Sequence, residues 1–172
     1  KKPMCKQDQY LAAMGGFVVL EIDKDGKVES KKIKLKKSIM NELNRNLLIF
    51  YTGQQRKNNK ILKEQEKKTK TNKQEVLNSL HYIKESGYKI LDIVQSGNLD
   101  DLGLMFKEHW EMKKKLSSGV TNDKIDLIYN IALQNGATGG KISGAGGGGF
   151  FTFYCSNNHE QLRNAMKTEG LR

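Results

Sequence analysis

The chain has 172 residues and carries 30 Lys+Arg against 19 Asp+Glu, a formal net charge of +11, a length suited to one domain with its own core and short for two. A hydrophobic share of 37% with a single proline excludes disordered and collagen-like chains, and no run approaches the roughly 18–20 apolar residues of a membrane span or the core of a signal peptide, so the chain reads as soluble. Of the basic residues 26 are lysine and four are arginine (Arg45, Arg56, Arg163, Arg172); this reads as solvated faces favouring anionic partners rather than a nucleic-acid surface, which prefers the arginine fork.

After a short polar opening, Gly15-Gly16 leads into Phe17-Val18-Val19-Leu20-Glu21-Ile22, an Asp23-Lys24-Asp25-Gly26 turn and a second run from Val28 to Leu35, which predicts a β-hairpin with one wet face. A short helix over Ser38 to Asn44 precedes Leu47-Leu48-Ile49-Phe50-Tyr51-Thr52-Gly53, whose apolar run predicts a central, buried strand. The lysine-rich tract from Gln54 to Gln74 reads as an exposed helix with a loop, or as a mobile segment. Val76, Leu80, Ile83, Gly87, Ile90 and Val94 recur at helical spacing, and Gly97-Asn98 stops that helix. Asn98 with Asp101 predicts the start of the next, carried by Leu102, Met105, Phe106, His109 and Met112, with His109 and Trp110 assigned to packing.

Ser117-Ser118-Gly119 breaks the second helix. Thr121 or Asn122 caps a third, built on Ile125, Leu127, Ile128, Ile131 and Ala132, with Gly136 as terminator. The glycine-rich block Gly139 to Gly149 reads as a loop, followed by a strand over Phe150 to Cys155 and a helix over His159 to Thr168; no closing strand follows Leu171. This order predicts an α+β domain whose mostly antiparallel sheet is covered by helices. Cys5 and Cys155 are too few for a disulfide framework or a zinc cluster and are expected as free thiols in a reducing cytoplasm.

A run of glycines is entropically costly unless close backbone approach or positive φ is needed, and successive N–H groups in such a run can converge on an anion. A flexible linker is the alternative, but one does not belong between a capped helix and an aromatic strand. Gly144, Gly146 and Gly149 match G-x-G-x-x-G formally, yet a dinucleotide fingerprint needs a helix after it, and a Walker loop needs G-K-[ST] at its end. Neither context is present.

The string Lys141-Ile142-Ser143-Gly144-Ala145-Gly146-Gly147-Gly148-Gly149-Phe150 resembles the third conserved motif of the GHMP kinases, the superfamily of galactokinase, homoserine kinase, mevalonate kinase and phosphomevalonate kinase. Lys6-Gln7-Asp8-Gln9-Tyr10, followed by Gly15-Gly16-Phe17, is similar to the segment that carries the catalytic aspartate in its sugar kinases. Leu47 to Gly53 with Arg56, and Trp110 through Lys113 to Gly119, resemble the branch acting on D-glycero-D-manno-heptose 7-phosphate.

The resemblance implies a ferredoxin-like C-terminal domain over residues 37–172, truncated before its last strand, with residues 1–36 a remnant of the N-terminal catalytic domain. It implies a cytoplasmic, ATP- and Mg²⁺-dependent sugar kinase acting on the anomeric hydroxyl to give the 1,7-bisphosphate, towards nucleotide-heptose and surface polysaccharide. Asp8 is then the group that orients or deprotonates the attacking hydroxyl. Lys141, Ser143, Gly144, Ala145, Gly146, Gly147, Gly148 and Gly149 lie near the phosphates, with backbone N–H groups as donors. Lys141 reads either as an electrostatic contact or as a solvated strand end. Thr52, Arg56, Lys113 and Ser117, with Lys114, are substrate-site candidates, Arg56 for the sugar's own phosphate.

The family's serine-rich P-x-x-x-G-L-x-S-S loop is not found in this sequence, so the 172 residues are expected to be the C-terminal part of a kinase and inactive alone. Its magnesium ligands are then expected largely outside this sequence. A fucose or galactose kinase is the near alternative. A basic module binding RNA or another polyanion through residues 56–73, and a non-catalytic regulatory domain, are the alternatives of other classes.

Overall fold

The computed structural model describes residues 6–54, 60–71 and 74–172; Cys5 and Arg56 lie outside them. A helix α1 (Gln7–Met14) opens the described chain and leads through Gly15 and Gly16, both at positive φ, into the predicted hairpin of β1 (Phe17–Ile22) and β2 (Val28–Ile33). The strands pair antiparallel from Phe17↔Ile33 to Ile22↔Val28. The Asp23 carboxylate fixes the turn by accepting from the N–H groups of Asp25 (2.9 Å) and Lys27 (2.8 Å), a local bond that asparagine and aspartate make in turns.

A second sheet holds β3 (Leu47–Tyr51), β4 (Gly139–Ile142) and β5 (Phe150–Tyr154), all antiparallel and in the order β3-β5-β4. The expectation of a central β3 is therefore corrected. β5 takes the centre because Phe151, Phe153 and Tyr154 are wholly buried, whereas β3 alternates, with Leu48 and Phe50 buried and Ile49 62% exposed. β4 was expected to be loop. Its Gly139-Gly140 start hides it from propensity, but the glycines serve contact: a Cβ at Gly139 would lie 1.9 Å from the Gly103 carbonyl oxygen, and one at Gly140 2.2 Å from the Phe153 ring.

The helices are α2 (Lys37–Asn46), α3 (Lys60–Lys70), α4 (Gln74–Ser96), α5 (Asp100–Lys114), α6 (Asp123–Gln134) and α7 (His159–Thr168). The predicted cap at Asn122 is present, its Oδ1 accepting from Ile125 N at 3.0 Å. The predicted start at Asn98 is not: α5 begins after Leu99 with no side-chain cap, and the Asn98 and Leu99 carbonyls instead accept from the N–H groups of Asp101 and Leu102. No described helix is long and apolar enough to cross a membrane.

Two cores result. One gathers Trp110, Tyr129, Phe151 and Phe153 between the sheet and α5, α6 and α7, with Cys155, a free thiol, buried among them. The other packs Ile39, Leu43, Val94, Leu99, Leu102, Phe106 and Tyr154 between α2, α4, α5 and the sheet. The result is the α+β architecture with antiparallel sheets covered by helices.

Candidate functional site

β4 and β5 are joined by the loop 143–149, and a cavity of about 710 Å³ opens beside it. Its walls come from five elements: Gln7, Asp8 and Gln9 of α1, Leu62 and Gln65 of α3, Leu80 and Ile83 of α4, His109 and Lys113 of α5, and β4 with the loop from Lys141 to Ala145. The volume lies within the range of small-ligand clefts. Asp8, Lys113, Lys141, Ser143, Gly144 and Ala145, singled out in the sequence over a separation of more than 130 residues, thus share one cavity, and Asp8 is the one carboxylate among its described lining residues.

The loop is held from both ends. Gly144, Gly146, Gly147, Gly148 and Gly149 all have positive φ, and a Cβ would lie 2.7 Å from Val120 O at Gly146 and 2.8 Å from Gln54 O at Gly148. Three of its N–H groups are already used: Ser143 N donates to Phe150 O (2.9 Å), Gly147 N to Val120 O (2.7 Å), and Gly149 N to Gln54 O (3.0 Å) and Thr52 Oγ1 (3.1 Å). The expectation that the whole run offers donors to phosphate narrows to the N–H groups of Gly144, Ala145, Gly146 and Gly148. Lys113 pins the loop's start, donating from Nζ to Ile142 O (2.9 Å) and to Gly144 O. Ser143 Oγ lies 3.2 Å from Thr152 Oγ1.

Two ammonium groups and an imidazole line one wall. Lys141 is half-buried with its ammonium 5.3 Å from the centre of the Phe106 ring, and burial pushes its pKa below the ordinary lysine value. His109 lies between α4 and α5; burial, then the charges of Lys141 and Lys113, hold it down to about 3, so it is neutral. Its Nδ1 lies 3.3 Å from Ser86 Oγ, which also lies 2.8 Å from Ile83 O; the hydroxyl proton can serve either acceptor, so the pair accommodates both neutral tautomers.

The other candidates lie elsewhere. Thr52 is buried at the end of β3, where its Oγ1 donates to Gly149 O at 2.9 Å and its N–H to the same oxygen at 2.8 Å; it secures the loop's far end. Ser117 is buried, its hydroxyl donating to Glu64 Oε2 at 2.7 Å. Lys114 pairs with Glu111 at 2.8 Å on its own helix. Arg56 falls outside the described residues.

Glu64 was not singled out in the sequence. It ties α3 to the 117–118 turn through Ser117 Oγ, Ser118 N (3.1 Å) and Ser118 Oγ, with Lys68 at 2.7 Å; Lys68, then Ser117 and Ser118, hold its carboxyl at about 2. Ile61, one turn away, fits against Gly119 and Gly147, where a Cβ on either glycine would approach it to 3.0 or 2.8 Å. A lone acidic residue in a lysine-rich tract carries no sequence signal for this.

Residues 90–171 match the GHMP kinases C terminal family. The chain is 34% identical over 166 residues to D-glycero-alpha-D-manno-heptose 7-phosphate kinase from Campylobacter jejuni, covering 95% of this chain and 48% of that kinase. A crystal structure from Campylobacter jejuni described as a sugar kinase superposes with TM-score 0.69 at 29% identity, over 96% of this chain and 46% of that one. L. major mevalonate kinase shares the fold, at TM-score 0.71 and 20% identity, over 94% of this chain and 47% of that one. The chain thus spans about half the length of the kinases it matches.

Proposed function

We propose that this chain, whose residues 90–171 form a GHMP kinase C-terminal domain, supplies part of the active site of an ATP-dependent sugar kinase, with a heptose 7-phosphate as acceptor. The observation that carries the proposal is the shared cavity, lined by one carboxylate, Asp8, by the loop from Ser143 to Ala145 and by two lysines. In the reaction the acceptor's anomeric oxygen attacks the γ-phosphorus of ATP, the bond to the β,γ-bridging oxygen breaks, ADP leaves, and the hydroxyl proton passes to a base. Asp8 is assigned that base or the orientation of the hydroxyl, because phosphoryl transfer depends on alignment and charge stabilisation. The loop N–H groups and Lys113 are assigned to the charge that develops on the transferred phosphoryl oxygens.

ATP chemistry implies Mg²⁺. No group of three or more His, Cys, Asp or Glu able to hold a metal occurs among the described residues, and Asp8 alone lines the cavity with a carboxylate. That donor set fits a magnesium ion held by phosphate oxygens and water, with at most Asp8 from these residues; its chemistry is to neutralise phosphate charge. The same proposal assigns residues 1–36 to the catalytic domain, residues 37–172 to the C-terminal domain, the product 1,7-bisphosphate to nucleotide-heptose synthesis, and the protein to the cytoplasm.

The test is ATP-dependent phosphorylation by the full gene product across a panel of heptose 7-phosphate, fucose, galactose and mevalonate. Heptose 7-phosphate is expected to be turned over with kcat/KM at least 100-fold above the others, and Asp8→Asn to lower kcat by about 10²–10⁴ with ATP affinity unchanged. No turnover of any phosphorylated heptose overturns the acceptor. Polyanion binding that falls steeply with salt and ignores ATP supports the non-enzymatic reading instead.

A further inference from the structure

We infer that Lys141 is the seat for the phosphate that the acceptor already carries, holding the far end of the sugar phosphate while its hydroxyl lies at Asp8. The inference rests on the kinase reading for the identity of the ligand, but the anion seat itself rests on the cavity.

A half-buried ammonium needs an anion or several carbonyl acceptors to offset its lost hydration. Among the described residues no carboxylate pairs with the Lys141 ammonium, which lies over the ring of Phe106. It nevertheless lines the cavity. The other lysine lining the cavity, Lys113, is bonded to the carbonyls of Ile142 and Gly144, and both lysines act on a neutral His109. The cavity is therefore lined by two ammonium groups and, among its described residues, by the single carboxylate of Asp8 on α1.

The two ammonium groups have different surroundings: that of Lys113 is held by the carbonyls of Ile142 and Gly144 at the loop, whereas that of Lys141 lies over the ring of Phe106, seven residues or roughly 10 Å before Lys113 along α5. The transferred phosphoryl group meets the loop N–H groups and Lys113. A second phosphate, at the other end of an extended sugar, reaches Lys141. His109 lines the same cavity, neutral and under the influence of both lysines, and its ring is suited to a sugar hydroxyl. An acceptor without a phosphate leaves Lys141 uncompensated, so the geometry selects phosphorylated sugars.

The test is binding to the full gene product, followed through the amide resonances of residues 141–149, with inorganic phosphate, a hexose 6-phosphate, free hexose and a non-hydrolysable ATP analogue as probes. The hexose phosphate is expected to bind at least ten-fold tighter than free hexose; Lys141→Met removes that difference, Lys141→Arg keeps most of it, and binding of the ATP analogue changes less than two-fold in both. Equal affinity of the unaltered chain for hexose and hexose phosphate overturns the inference without any variant. So does a folded Lys141→Met that still discriminates, while loss of ATP-analogue binding in that variant assigns the seat to the nucleotide. Phosphate-selective binding in a gene product that phosphorylates no sugar leaves the seat standing and removes the kinase reading; the reverse pattern removes only the seat.

Discussion

Replacing Glu64 by glutamine keeps the shape of the side chain and removes the charge that docks α3 beside the glycine loop. The carboxylate accepts from Ser117 Oγ, Ser118 N and Ser118 Oγ and pairs with Lys68 at 2.7 Å, and its pKa falls from 4.5 to about 2. At about 1.4 kcal/mol per pH unit that drop corresponds to about 3.4 kcal/mol. With the side chain 33% exposed, solvent screening reduces it to about 1–2 kcal/mol.

A depressed folded pKa contributes stability that is fully present above about 4.5 and is lost as pH falls towards 2. Hydrogen exchange of the α3 amides, corrected for intrinsic rates, is the assay. At neutral pH Glu64→Gln is expected to lower protection of residues 60–70 by about 5- to 30-fold while leaving the β5 amides unchanged. In the unaltered chain the same loss is expected between about pH 4.5 and 2. Equal protection in the two proteins at pH 7, or an unaltered chain whose α3 protection does not fall with acid, refutes the docking role.

Three further outcomes follow from packing. Gly139→Ala is expected to destabilise by about 3 kcal/mol or more by calorimetry, because the new Cβ would lie 1.9 Å from the backbone oxygen of Gly103 and neither the helix nor the strand can yield cheaply. Thr52→Val removes the hydroxyl that bonds Gly149 in both directions; about 1–2 kcal/mol of stability is expected to be lost, with faster exchange in the loop than in α6. Trp110 is fully buried and its Nε1 has no partner among the described residues, so Trp110→Phe is expected to cost less than about 2 kcal/mol, against about 3–5 for Trp110→Ala; equal losses in denaturant titrations contradict that account.

The elements with strong periodicity were legible in the sequence. α4 follows its apolar stripe, the hairpin its Asp-Gly turn, and α6 its Asn122 cap. What was hidden depends on partners distant in the chain. Gly139 and Gly140 carry no strand propensity, and only the approach of Gly103 and Phe153 explains them. The central or edge position of β3 depends on which aromatic strand claims the middle, a choice that Leu47 to Tyr51 do not record locally. α1 has no apolar face to announce it. For the site, Asp8 and the Lys141–Gly149 motif carry their own signature, whereas the roles of Thr52, Ser117 and Glu64 exist only in hydrogen bonds spanning 53 to 97 residues.

The bond between Thr52 and Gly149 joins residues 97 apart, and the pairing of β3 with β5 that brings them together closes nearly the same length of chain. Such closures come late when a protein folds, since the entropy of the intervening segment must be given up first. The glycine loop therefore takes its shape after the helices between have formed, and in a refolding time course ligand binding should return more slowly than helix content. Residues 143–149 are the last part of the cavity to be built and the first to report that the whole has been.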